Sequence, residues 1–254
     1  MARFLIDENS IKDNVVLLSE RESRHALKVL RLKAGEMVEL LDGKGKIFPG
    51  VVIGAENSRL SVRVGQAIIS SVSSVEVTLG AVVIKPERME TLIEKACELG
   101  VFSIIPLISE RCMVRLSKER WAGKRERWRK IAQGACKQCG QARIPEIESV
   151  RDFKTYFEKA PIYDKIIMPT LSIKTSGLLE ALKEVGAHGH EPLLPGKVLV
   201  LVGPEGDFTK KEVELAVSCG AKAVSLGPIT LRSETACLYA LSVLNFFYRE
   251  VIPA

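Results

Sequence analysis

The sequence predicts an α/β protein in two parts, a small β-barrel followed by a larger α/β domain with a mostly parallel sheet. Strand patterns dominate the first 70 residues, whereas strands and helices alternate from residue 75 onward. That alternation is typical of parallel sheets, because parallel strands need crossover connections. Residues 70–74 are small and polar and form the best linker candidate. We therefore expect domains at residues 1–72 and 73–254.

A β-hairpin is predicted in the first part. Residues 36–41 and 47–53 flank the turn Asp42-Gly-Lys-Gly-Lys46, whose glycines suit a tight connection. Residues 59–67 alternate apolar and polar side chains, as expected of a strand with one buried face. These patterns together favour a small barrel.

One helix interrupts these strands. Ser19-Glu-Arg-Glu22 has the spacing of a capping box, in which the serine and the second glutamate satisfy backbone donors of the first turn. We expect the helix to end before Gly35 and to carry Ala26, Val29 and Leu30 on one apolar side.

The second part is predicted to alternate strands with helices. Pro86 and the capping box Thr209-Lys-Lys-Glu212 mark two helix starts. The predicted strands lie at residues 75–84, 101–107, 165–168, 197–202 and 223–226, and the helices begin at about residues 86, 117, 177, 209 and 234.

Composition excludes several classes of protein. With 46% hydrophobic and 27% charged residues, the 254-residue chain is neither disordered nor fibrous. Its longest apolar runs have strand length, so we expect no membrane span, and the N-terminus lacks a signal-peptide core. We expect a cytoplasmic protein. Only Cys136 and Cys139 have ligand-like spacing, so we expect no metal site.

Positive charge is concentrated in one segment. Residues 111–143 hold eleven basic side chains and two acidic ones, while the whole chain has a net charge of +6. Trp121 and Trp128 lie among these charges, and cations beside aromatic rings suit phosphate contact and base stacking. The alternative is a solvated amphipathic helix whose tryptophans face the core. Both interpretations can hold, with an apolar side inward and a basic side outward.

Two glycine-containing loops follow predicted strands directly. The first is residues 202–208, with Gly203-Pro-Glu-Gly206, and the second is residues 226–236. Open α/β sheets bind ligands beyond the carboxyl ends of their strands. Neither loop has the GxGxxG or GxxxxGK[ST] spacing that cradles phosphates, which weakens a nucleotide-binding regulator as an alternative. Ordinary strand-to-helix turns explain the loops equally well at this point.

Several motifs in one order carry a family resemblance that spans nearly the whole chain. The motifs are Lys85-Pro-Glu-Arg-Met-Glu90, Glu98-Leu-Gly-Val101, Ser109-Glu-Arg-Cys112, Gln138-Cys-Gly140, Gly203-Pro-Glu-Gly206 and Leu226-Gly-Pro with Leu231-Arg-Ser-Glu-Thr-Ala236, and His25 with Val29-Leu-Arg31. In these motifs the chain resembles the small-subunit rRNA methyltransferase E family (RsmE) of the SPOUT superfamily.

The resemblance implies a fold, a reaction and partners. The expected fold is a PUA-like RNA-binding barrel followed by a SPOUT α/β domain with a C-terminal trefoil knot, acting as a homodimer. The expected reaction is methyl transfer from S-adenosylmethionine to N3 of one uridine in the decoding region of 16S rRNA. The partner would be 16S rRNA or the assembled small ribosomal subunit.

The resemblance also implies a cofactor site, formed by two loops and the end of an earlier strand. Two positions depart from the family pattern: Asp207 replaces a small residue, and Ile229 replaces a common basic one. The implied cofactor-binding residues are Met168, Pro169, Val202, Gly203, Glu205, Gly206, Leu226, Gly227, Leu231, Thr235 and Ala236.

Catalysis and RNA binding are assigned as hypotheses. Uracil N3 must lose a proton, so the reaction needs a base and a cation; Glu234 and Arg232 are the candidates. The alternative for Glu234 is a carboxylate that stabilises the helix dipole. The expected RNA-binding residues are Arg3, His25, Lys28, Arg31, Arg111, Arg115, Arg129, Lys130 and Arg143.

Two other functions stay open from the sequence. A related knotted methyltransferase could act on another RNA position, because its loops would look alike. A non-catalytic RNA-binding protein of the same fold is the second alternative, for which Asp207 and Ile229 are the hints.

Overall fold

The structure, a computed structural model, describes residues 1–70, 75–114, 116–159, 162–173, 175–183 and 196–251. The chain forms two compact units: Met1–Val72 with Gln133–Ile144, and Ser73–Ala132 with Pro145–Ala254. A largely antiparallel sheet lies in the first and a parallel sheet in the second, so the predicted α/β class is confirmed. Within the described ranges, no helix has both the length and the apolar character to cross a membrane.

The first unit is built on a six-stranded sheet around an apolar core. Its strands are β1 (Ala2–Leu5), β2 (Val15–Leu17), β3 (Met37–Leu41), β4 (Lys46–Glu56), β5 (Arg59–Val64) and β6 (Ile68–Ile69). They lie in the order β1-β3-β4-β5-β2, with β6 paired to β4. A 3-10 turn, Glu8–Ser10, lies between the first two strands.

The predicted hairpin is β3 and β4, which pair antiparallel. Its turn is held by Asp42, whose Oδ1 accepts hydrogen bonds from the backbone N–H groups of Lys44, Gly45 and Lys46 at 2.7–3.0 Å. These turn donors lie beyond the ladder of the sheet, and the aspartate carboxylate stabilises the turn by accepting their hydrogen bonds. The predicted alternation also holds in β5, where Leu60 and Val62 are buried.

The predicted first helix starts as expected and then changes its winding. Ser19 caps α1 (Glu20–Arg24), and the chain continues as a π-helix over His25–Leu30. A π-helix has more residues per turn than an α-helix, so positions three apart no longer share a face. The predicted apolar side is therefore wrong: Ala26 is buried, whereas Val29 and Leu30 are 65% and 41% exposed.

A later segment of the chain completes the first unit. The helix α3 (Lys118–Cys139) begins in the second unit, and its last residues belong to the first. Lys137 Nζ pairs with the buried carboxylate of Glu22 at 2.9 Å. Arg3 donates to Glu39 Oε2 at 2.7 Å and to the carbonyl of Gln138 at 2.8 Å.

The second unit holds eight parallel strands. They are β7 (Glu76–Val82), β8 (Ser103–Ile108), β9 (Glu146–Ile147), β10 (Arg151–Asp152), β11 (Lys165–Pro169), β12 (Ser176–Gly177), β13 (Lys197–Val202) and β14 (Ala221–Ser225). Its helices, besides α3, are α2 (Pro86–Glu98), α4 (Phe153–Glu158), α5 (Leu178–Lys183), α6 (Lys210–Ser218) and α7 (Ser233–Phe246), which continues as a π-helix over Phe247–Val251.

The strand order positions the candidate site. The sheet runs β10-β8-β7-β13-β11-β14-β12, with β9 also on β8, so β11 lies between β13 and β14. Because all three run parallel, their carboxyl ends meet at one edge. Five residues of β13 are buried, as expected for a central parallel strand. The trefoil knot stays a prediction.

The two cysteines with ligand-like spacing lie near the end of α3, where Cys136 is buried and Cys139 exposed. In the described part of the chain, no group of three or more His, Cys, Asp or Glu side chains could hold a metal ion.

Candidate active site

Three loops at the carboxyl ends of β11, β13 and β14 enclose a cleft, called the loop cleft below. It contains about 570 Å³ of atom-free space, part of it open to solvent. Apolar side chains dominate its walls. These include Pro169, Val202, Val224, Leu226, Leu231 and Ala236.

Asp207 ties the loop after β13 to the loop after β11. Its Oδ2 accepts hydrogen bonds from Thr170 Oγ1 at 2.8 Å, the Leu171 backbone N–H at 2.8 Å and Ser172 Oγ at 2.9 Å. Asp207 has a φ of +58°, in the left-handed region that aspartate and glycine tolerate better than most residues. The sequence departure at this position therefore adds a structural link between two walls.

Two further links fix the same loops. Ser233 Oγ, which is buried, donates to the Gly203 carbonyl at 2.7 Å and joins the start of α7 to the loop after β13. Arg111 Nη1 donates to the Gly206 carbonyl at 2.6 Å from the segment after β8. Since these polar groups are satisfied within the protein, the cleft is preformed.

Gly203 is required by close packing. A Cβ atom at this position would lie 3.1 Å from the ring of Phe208 and 3.2 Å from its backbone nitrogen. Phe208 is fully buried and packs on Phe153 of α4 with ring centroids 4.9 Å apart. The ring cannot move away easily, so a larger residue at position 203 would displace the loop.

Arg88 links Glu205, in the wall of the loop cleft, to Glu234, which adjoins the lining residue Ser233 but is not part of the wall. It lies in the first turn of α2 and contacts Glu205 Oε1 at 3.2 Å and Glu234 Oε1 at 3.7 Å. Glu234 lies in the first turn of α7, and its Oε2 is buried without a hydrogen-bond partner among the described residues. A buried acceptor without a partner is costly unless a ligand satisfies it. This oxygen is therefore the strongest chemical candidate at the site.

Arg232 and Cys237 differ in what they can do. Arg232 is exposed, lies between the lining residues Leu231 and Ser233, and makes no ion pair with any described residue. Its guanidinium is available to an anion. Burial, and then the charge of Glu234, raise the pKa of the Cys237 thiol, which keeps it protonated and unsuited to nucleophilic attack.

The structure brings most of the predicted cofactor residues to the loop cleft. Met168 is fully buried in the sheet, and Gly206 and Thr235 lie outside the wall. The eight that line it are Pro169, Val202, Gly203, Glu205, Leu226, Gly227, Leu231 and Ala236.

Sequence reasoning missed several contributors. Thr170 and Leu171 directly follow the predicted Met168-Pro169 wall at a strand end, a position that could have signalled them. Arg88 was part of a recognised motif but had no assigned role. Pro204, Asp207, Val224, Ile229, Thr230 and Ser233 complete the lining.

The predicted RNA-binding residues of the first unit divide into two groups. Arg3 is partly buried and is engaged by Glu39 and by backbone carbonyls, which gives it a structural role. His25, Lys28 and Arg31 are exposed on or just after the π-helix, with the His25 ring edge-on to Phe4. These three are accessible to a ligand.

The remaining predicted RNA-binding residues lie on or near α3. Arg129 is paired with Glu126 at 3.7 Å, and Lys130 is exposed. Arg143 bridges to the β3–β4 turn through its backbone. Arg111 supports the loop cleft, as described above, and Arg115 lies outside the described residues.

Two family models match the chain. Residues 71–245 match an RNA methyltransferase domain, and residues 18–65 match an RNA methyltransferase PUA domain. The first model alone covers more than half of the chain.

Relatives and solved structures agree with these matches. The ribosomal RNA small subunit methyltransferase E of Buchnera aphidicola is 26% identical, with 98% of this chain and 94% of the relative aligned. The structure of the Neisseria gonorrhoeae enzyme of that name, bound to S-adenosyl methionine, is 33% identical, with a TM-score of 0.79 over 97% of this chain and 98% of that one. A Legionella pneumophila protein with bound cofactor SAM is 31% identical, with a TM-score of 0.83 over 96% of each chain.

Proposed function

We propose, on the premise that the chain belongs to the ribosomal RNA small subunit methyltransferase E family, that it methylates N3 of one uridine in the decoding region of 16S rRNA. The methyl donor is S-adenosylmethionine. The observation that carries the chemistry is the buried, unpartnered Oε2 of Glu234, which directly follows the cleft-lining residue Ser233. Activity on rRNA follows from the family, and the choice of uracil N3 is the further step proposed here.

The residues of the loop cleft fit this donor. Apolar walls at Val202, Leu226 and Leu231 suit the faces of an adenine ring, and the loop backbones carry donors and acceptors for its edge. The Glu205 carboxylate, held by Arg88, can accept hydrogen bonds from hydroxyl or ammonium groups. When bound, S-adenosylmethionine supplies an electrophilic methyl group on a sulfonium centre.

The chain's own residues would prepare the uracil. The N3–H proton would pass to the Glu234 carboxylate, which would leave the N3 electron pair to form the new bond to the methyl carbon, with the bonding electrons of that methyl group left on the donor's sulfur. Negative charge on the flanking carbonyl oxygens is stabilised by Arg232, whose guanidinium is exposed. Arg88 holds Glu234 at its other oxygen and so orients the free one.

The division of labour follows the two parts of the chain. We assign RNA binding to residues 1–72, with further RNA contacts from the basic segment 111–143, and methyl transfer to residues 73–254. His25, Lys28 and Arg31, which are exposed, support the first assignment, and the loop cleft supports the second. The substrate is 16S rRNA, free or in the assembled small subunit, which places the protein in the cytoplasm.

A homodimer is part of this proposal. Tyr239 and Phe246 on α7 are 46% and 63% exposed, and exposed large apolar side chains on one helix favour association. Light scattering at several concentrations measures the mass directly, and a monomer at all of them would contradict this part.

Nucleoside mass spectrometry tests the reaction. Unmodified 16S rRNA, naked and in small subunits, is incubated with the protein and S-adenosylmethionine, and Glu234→Gln is the inactive control. We expect 3-methyluridine with the wild-type protein. A different methylated nucleoside would show that the protein modifies another position. No product together with no cofactor binding would favour a non-catalytic RNA-binding protein.

A further inference from the structure

A second concave surface lies along the first half of α3, and we call it the basic groove. Its atom-free space is about 910 Å³, part of it open solvent. It lies wholly within the second unit, and its lining differs from that of the loop cleft. The lining residues that matter here are Lys118, Trp121, Arg125, Glu126, Arg129 and Val150.

The spacing of these residues places them on one side of the helix. Positions 118, 121, 125 and 129 recur every three or four residues, which is the repeat of a helical face. The face extends along about 16 Å of helix, because each residue adds roughly 1.5 Å. Cations therefore lie on both sides of Trp121.

Contacts inside the protein hold the groove in shape. Arg125 Nε donates to the Ile147 carbonyl of β9 at 2.8 Å, which joins α3 to the opposite wall. The ring of Trp121 lies 6.3 Å from that of Trp128, which is only 2% exposed. The core-facing tryptophan thus supports the partly exposed one, and the predicted inward side of this helix holds for Trp128.

The groove keeps charge available for a partner. The side chain of Lys118 has no hydrogen bond or ion pair with a described residue. Arg129 pairs only with Glu126, at 3.7 Å on the exposed helix surface, where such pairs are weak. The lining holds three cations and one carboxylate. Arg125 is engaged by the Ile147 carbonyl and by Glu146 at 3.9 Å, so Lys118 and Arg129 are the cations that favour an anion.

We propose that the basic groove binds a single-stranded RNA segment, with one base stacked on Trp121 and phosphates contacted by Lys118 and Arg129. Aromatic rings among cations are how proteins hold single strands, because every base offers a π-face. A duplex keeps its base faces inside the stack and could use only the cations. This inference rests on the proposed function only in naming rRNA as the source of the strand.

Tryptophan fluorescence gives a site-specific test, since the chain contains only two tryptophans. In Trp128→Phe, Trp121 is the sole emitter, and stacking by an oligouridylate of about 12 nucleotides should quench it. In Trp121→Phe, the remaining Trp128 is buried and its emission should not change. An abasic strand of equal length should bind without quenching.

Binding of the same labelled oligonucleotide, measured by anisotropy, gives the second readout. We expect Trp121→Ala to weaken binding at least about fivefold and Trp121→Phe to restore most of it. Thermal melting of each variant confirms that it is folded. RNA that binds Trp128→Phe without quenching it would overturn the proposal, as would unchanged affinity in Trp121→Ala.

The outcome for the groove is separate from that for the reaction. If Trp121 is quenched but 3-methyluridine never forms, the groove stands and the proposed reaction fails. If 3-methyluridine forms on 16S rRNA but the bound oligouridylate leaves Trp121 unquenched, the reaction stands and the groove proposal fails.

Discussion

The loop cleft and the basic groove both belong to the second unit, yet they use polar groups in opposite ways. In the loop cleft, Asp207, Ser233 and Arg111 form hydrogen bonds with neighbouring loops. In the basic groove, Lys118 makes no such bond, and Arg129 makes one weak ion pair. The loop cleft therefore has a fixed shape and polar groups that are bonded within the protein. The basic groove also has a fixed shape, but it has cations that are unpaired or weakly paired.

The difference indicates what each surface can recognise. A preformed cleft with apolar walls selects a small molecule by its shape. Since no loop has to be ordered, binding costs less conformational entropy. Exposed cations attract a polyanion from any direction and carry little sequence information. Substitutions in the loop cleft should therefore change cofactor affinity or rate, and substitutions in the groove should change salt dependence.

The largest effect on cofactor binding is expected from Gly203→Val, which would fill space next to Phe208. Overpacking of about 1–3 kcal/mol would move the loop, and we expect S-adenosylmethionine affinity to fall about 100-fold by calorimetry. Gly134→Val is the matched control, because a Cβ there meets nothing within 4 Å. Equal affinities in both variants would show that the close packing at Gly203 is unimportant.

Glu234→Gln separates chemistry from binding at the same cleft. Since general-base catalysis contributes roughly 10²–10⁴-fold, we expect kcat to fall at least about 100-fold while cofactor affinity stays within about twofold. Glu214→Gln on the surface of α6 is the control. A loss confined to cofactor affinity would instead assign Glu234 a positioning role through Arg88.

Asp207→Gly tests the link between the loops after β13 and β11. Glycine accepts the φ of +58° without strain, so the variant removes only the carboxylate and its hydrogen bonds. With each bond worth about 0.5–1.5 kcal/mol, we expect about tenfold weaker cofactor binding. Asp207→Asn should have a cofactor affinity between those of the wild type and the glycine variant. Wild-type affinity in the glycine variant would mean that the cleft is rigid without this link.

The smallest effect is expected from Lys118→Gln combined with Arg129→Gln. Affinity for single-stranded RNA should fall only severalfold, but the slope of log affinity against log salt should become shallower by about 0.7 for each phosphate that the variant no longer neutralises. Lys154→Gln on α4 is the matched exposed cation. An unchanged slope would show that these two side chains do not neutralise RNA phosphates.

Local patterns predicted the larger elements well. The hairpin, β13 and the capping box of α6 were all set by short-range signals, namely turn residues, apolar runs and a Thr-to-Glu spacing. The helix α4 was missed, although Asp152 caps it, because only six residues carry the pattern. The π-helical winding after α1 has no sequence signal that a period of 3.6 residues can detect.

The sequence predicted the individual loops of the site but not the contacts between them. Gly203 and Leu226 could be placed because each follows a strand, but the links between loops depend on three-dimensional proximity. Asp207 was only a departure from the family pattern in the sequence, and the structure gives it partners 35–37 residues away in the chain. Arg88 and Glu234 are 146 positions apart, so their pairing could not be inferred from spacing.

Because residues 133–144 belong to the first unit, that unit can be completed during synthesis only after they have been translated. Glu22 is buried against Lys137, and Arg3 bonds the Gln138 carbonyl, so the amino-terminal sheet lacks these contacts until about residue 144 has left the ribosome. A nascent chain with only the first 72 residues would lack the cation that pairs with Glu22 in the folded unit. Translation therefore completes this unit late, against the usual order in which amino-terminal domains fold first.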